Sequence, residues 1–140
     1  MRPTTKIVVA LAVMCAFAAG MRAHAHHAMV MYDRLRTVTL TGTVVELRWS
    51  NPHVFLVVNG KLNEGDQSEV WLLETSGPAN LTRIGGWSAT VLKPGDRVSV
   101  DVNLLREGEQ RNARLTKVRL VDTGQELGTA YQDLDLVRPK

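Results

Sequence analysis

The sequence is short of cysteine, of net charge and of catalytic signatures, and each shortage narrows what the protein can be. Cys15 is the one cysteine in 140 residues. It lies in the middle of the apolar run Ile7–Gly20 behind a bulky Met14, a poor context for lipid attachment. If that run is removed on export, no thiol remains. Disulfides and thiolate metal sites are then excluded, and the rest of the chain must fold on its own apolar core. The formal charge of +3 sits in the same segment, because loss of Arg2, Lys6 and Arg22 takes 17 basic residues to 14, against 14 acidic ones. A neutral chain has no general attraction to nucleic acid or to an anionic membrane. No apolar run reaches the roughly 20 residues that span a bilayer. There is no Gly-x-Ser-x-Gly elbow, and "RIGGW" lacks the lysine and spacing of a phosphate-cradling loop. Ser76 in "TSGPAN" has no histidine signalled beside it, which leaves a serine nucleophile without its base. Internal repeats and low-complexity segments are missing as well. Together these absences favour one small binding domain over an enzyme.

What is present begins with a leader pattern. Arg2 and Lys6 precede the uncharged "IVVALAVMCAFAAG", and "AHA" at Ala23–Ala25 has the small-x-small form that a signal peptidase reads. The expectation is an exported protein, periplasmic or secreted, cleaved near Ala25 and left with no membrane span; an uncleaved anchor is the competing reading. The chain then divides into a leader (1–25), a His/Met segment (26–36), a β domain (37–121) and a loosely attached tail (122–140).

From Thr37 the hydrophobic pattern has period two. Val38 and Leu40 share one face, whereas Val45, Leu47 and Trp49 take the opposite parity, and Gly42 between them marks a bulge in one long bent strand. "SNP" stops it. "HVFLVVN" and "EVWLLET" predict two further strands about a polar loop. "SGPANLTRIGGW" predicts one short helix with a capping serine, a proline in its first turn and a Gly-Gly stop. "KPGD" turns into "RVSVDVNLL", and "REGEQRN" into "ARLTKVRLV". The order β-β-β-α-β-β with a bent first strand predicts an all-β, five-stranded Greek-key barrel of OB type. An antiparallel sandwich with a helical insert is the alternative.

With "HHAMVMYD", "TLTGTVVELRWSNPH", "GGW" and "LKPGDRVSV", the chain resembles a family of small exported bacterial proteins defined as a domain of unknown function, whose members begin with a His-His pair after the signal. The resemblance spans roughly His26–Asp122. It implies a compact exported β domain and brings no established activity. Members often carry an aromatic residue where this chain has Met29.

Two candidate sites follow from the residues. Cleavage after Ala25 would expose His26 as the new N-terminus, whose amine and imidazole form a chelate. His27 is adjacent, Met29 and Met31 lie on one face of an extended segment, and His53 in "SNPH" supplies a third imidazole. Imidazole, amine and thioether donors suit copper better than magnesium or calcium. Distance opposes the set, since Thr37–Trp49 would span about 40 Å if straight. The competing readings are that "AHAHH" marks a processing site and that His53 caps a turn. The second candidate is a barrel face around Trp87 and Arg114 that meets an envelope protein or a saccharide. Trp49 and Trp71 read as core, whereas Trp87, after two glycines and outside a strand, reads as an exposed platform that Tyr32 and Phe55 could join. Arg114, Lys117 and Arg119 read as charged guards of an edge strand, and Glu64, Asp66 and Glu69 as solvated loop carboxylates.

Overall fold

A computed structural model describes residues 31–108 and 111–131. Its compact β unit starts at Tyr32. The first strand, β1 (Tyr32–Arg48), is followed by β2 (Phe55–Lys61), β3 (Glu69–Glu74), the helix α1 (Pro78–Ile84), β4 (Arg97–Leu105), β5 (Asn112–Leu120) and β6 (Glu126–Gly128). β1 pairs antiparallel with β2 on one side and with β4 on the other, and β4 pairs antiparallel with β5. Parallel pairing of Leu72–Glu74 with Asn112–Arg114 joins β3 to β5. The five main strands therefore close into the expected OB-like barrel, and closure excludes the open sandwich.

The inner face carries the core. Leu40, Val44, Leu56, Val58, Trp71, Leu73, Val98, Val100, Val102, Leu115 and Val118 are all buried, and α1 adds Leu81. Trp71 belongs to this core as expected and donates its Nε1–H to the Gly60 carbonyl at 3.2 Å. Trp49 packs against the core from the end of β1. β1 reverses its inward parity once, as its sequence requires, but not at Gly42. The register with β2 shifts between Val44 and Glu46, so the extra residue is Val45, which turns out to solvent at 45% exposure. Gly42 serves another purpose. It faces Gly60 across the strands, and a Cβ there would lie 2.6 Å from the Gly60 Cα and 2.4 Å from the Asn59 carbonyl oxygen. The two glycines let β1 and β2 approach closely where the barrel coils.

Three further expectations are corrected. β1 begins at Tyr32, five residues before Thr37. The helix is capped by Gly77 without a side-chain bond, and the Ser76 hydroxyl is buried instead of capping it. The chain beyond Asp122 is not loose as far as residue 131. Lys117–Arg119 pair with Glu126–Gly128, Leu127 enters the core, and the Thr129 hydroxyl donates to the Thr116 carbonyl at 2.9 Å. β5 therefore has neighbours on both sides and is no edge strand.

Candidate functional site

Barrel closure gathers polar side chains from five segments around Glu74, the last residue of β3. Glu74 lies beside Phe55 in β2 and beside Arg114 in β5. Its carboxylate accepts the Tyr32 hydroxyl on Oε2 at 2.8 Å and is bonded through Oε1 to Nδ1 of His53. Tyr32 opens β1, whereas His53 follows the turn after the same strand, so the two ends of a 17-residue strand and its turn meet on one carboxylate. The Tyr32 carbonyl accepts from Arg106 Nε at 3.2 Å, which pins the entering backbone as well as the ring.

Local structure presents His53. The Asn51–Pro52 peptide is cis. Gly77 packs so closely on it that a Cβ would stand 2.6 Å from the Pro52 carbonyl oxygen. Val54 donates its N–H to the Ser76 carbonyl at 3.2 Å and accepts from the Thr75 N–H at 3.0 Å. The His53 backbone is thereby clipped to the turn that follows Glu74. The His53 side chain is 38% exposed and that of Glu74 22%, so the imidazole reaches the surface while its partner lies mostly behind it.

The β5 neighbour of Glu74 is a buried cation. Arg114, 1% exposed, donates from Nε and Nη2 to Asn103 Oδ1 at 3.0 and 2.6 Å. Asn103 in turn donates to the Arg36 carbonyl at 3.2 Å and to Thr37 Oγ1 at 3.1 Å. The guanidinium lies over the Tyr131 ring, 4.8 Å from its centroid. Burial, the hydrogen bond to Glu74 and the charge of that carboxylate raise the Tyr32 phenol well above its ordinary range, with Arg114 opposing. Burial and Glu74 raise Tyr131 in the same way, again against Arg114. Two phenols thus share one carboxylate and one guanidinium as electrostatic neighbours.

The sequence-predicted site residues fall in three places. His26, His27 and Met29 lie outside the described residues. His53 lies on the Glu74 cluster. Trp87 and Arg114, the expected exposed face, are both buried. Trp87, 5% exposed, donates Nε1–H to the Gly128 carbonyl at 2.7 Å, because the Gly85–Gly86 stop turns it inward against β6. Arg114 lies on the closing strand pair, where β3 and Tyr131 cover it. Among the loop carboxylates, Glu69 pairs with Arg111, and Asp66 accepts from Asn63 within its own turn.

Sequence reasoning missed Glu74, Asn103 and Tyr131. Glu74 alternates with the inward Trp71 and Leu73 and so reads locally as a solvated outward residue. His53 shares Glu74 with the first residue of β1, and no group of three His, Cys, Asp or Glu suited to a metal occurs among the described residues. This chain belongs to DUF6152, a family of unknown function that matches residues 13–114. Neither the curated proteins nor the solved structures contain a match to it. No helix among the described residues is long and apolar enough to cross a membrane.

Proposed function

We propose that this DUF6152 chain is a small exported binding protein that holds one copper-like cation without catalysing a reaction. His53 is the ligand from the barrel, and His26, His27 and Met29 are the ligands from the segment before Tyr32. The observation that carries this reading is the common attachment of Tyr32 and His53 to Glu74. The objection to the set was the length of β1, which when straight would hold the histidine-rich segment far from His53. β1 coils and bulges, and its first residue ends at the carboxylate that holds His53. His27 is five residues upstream of Tyr32, a span of at most roughly 18 Å of extended chain.

Donor chemistry supports the same ion. Three imidazoles, a terminal amine and a thioether suit copper, whereas magnesium and calcium prefer oxygen. The test is native recovery of the exported protein without chelator, with intact mass and elemental analysis of one sample. The expected result is cleavage before His26 and close to one copper per chain. A different N-terminus with no metal would overturn the reading.

A further inference from the structure

A histidine ligand needs a fixed ring and a lone pair on the correct nitrogen. Neutral imidazole carries one N–H, so whichever nitrogen donates leaves the other as the ligand atom. In this barrel Nδ1 is engaged by Glu74 Oε1. The other carboxylate oxygen is occupied by the Tyr32 hydroxyl, which limits rotation of the carboxylate. A carboxylate oxygen accepts and an imidazole N–H donates, so a proton on Nδ1 satisfies this contact. The half-exposed ring therefore has a reason to keep its proton on Nδ1 and to turn Nε2 outward.

We infer that Glu74, held by Tyr32, is a positioning residue that fixes His53 as the Nδ1–H tautomer and presents Nε2 as the ligand atom. The role in metal binding rests on the function proposed above, whereas the tautomer does not. Carboxylates that orient a ligating imidazole in this way strengthen its basicity, and their loss typically weakens metal affinity roughly 10- to 100-fold.

The experiment is a long-range nitrogen–proton correlation spectrum of the metal-free, folded protein at about pH 8, where an ordinary histidine is neutral, followed by copper titration. His53 is expected to show a protonated Nδ1 and a bare Nε2. Glu74→Gln offers an amide that can donate to Nδ1, so it is expected to move the proton to Nε2 and to weaken copper binding roughly 10- to 100-fold, with Glu74→Asp recovering part of the loss. Since Glu74→Gln could unfold the barrel, the wild-type spectrum decides by itself. An Nε2–H tautomer, or the mixture of a free histidine, overturns the inference even if copper binds at His53. An Nδ1–H tautomer in a protein that takes up no copper upholds the role of Glu74 and overturns the proposed function.

Discussion

Glu74 and Trp87 illustrate how a side chain's role depends on what the fold places opposite it. Both stand where local pattern reads solvent, one outward on a strand and the other beyond a glycine pair. Closure of β3 on β5 puts Arg114 beside Glu74, and β6 gives Trp87 a carbonyl to bond. The Trp87 assignment is directly testable. Trp87→Phe keeps most of the buried area and loses the bond to Gly128, so denaturant unfolding is expected to show a loss of about 1 kcal/mol. Trp87→Ala also opens a cavity and is expected to cost about 3–5 kcal/mol. An exposed platform would tolerate both within roughly 0.5 kcal/mol.

At the scale of elements, the strands were legible because one buried face imposes period two, and the helix because proline and paired glycines bound it. Val45 was harder to place. A parity change can be absorbed at any residue between Leu40 and Leu47, and glycine is the default guess, whereas Gly42 is held by the approach of Gly60. β6 was not legible at all. Three residues with one inward Leu127 carry no period, although they fold straight back on β5, the strand just before them. The corresponding prediction is that truncation after Asp122 is destabilising. It removes Leu127 from the core, the acceptor of Trp87, the Thr129 hydroxyl bonds and the Tyr131 ring over Arg114. Urea unfolding is expected to show a loss on the order of 5 kcal/mol, and an unchanged midpoint would mean that the tail is loose after all.

At the scale of the whole molecule, the fold class was readable from element order, but the candidate site was not, because it joins residues from strand ends that only barrel closure brings together. Alkaline pH reports on that assembly, since Tyr32 and Tyr131 are the only tyrosines of the chain. Both phenols are raised above the ordinary value of 10.0 in the folded state. A raised value means that the fold favours the neutral phenol. The stabilisation is fully present below the unfolded value and is lost as pH rises above it. The phenolate titration of the folded protein is expected to have its midpoint above pH 10.0, with Tm falling over the same range. The double variant Tyr32→Phe, Tyr131→Phe should flatten that fall, and an ordinary phenol titration would contradict the buried cluster. Copper binding at His53 is tested by titrating copper into the processed protein and into His53→Ala while following Tm. One equivalent bound with a raised Tm is expected in the first, and a binding loss of at least roughly tenfold, about 1.4 kcal/mol, in the second. Equal behaviour of the two proteins, or no response in either, would contradict it.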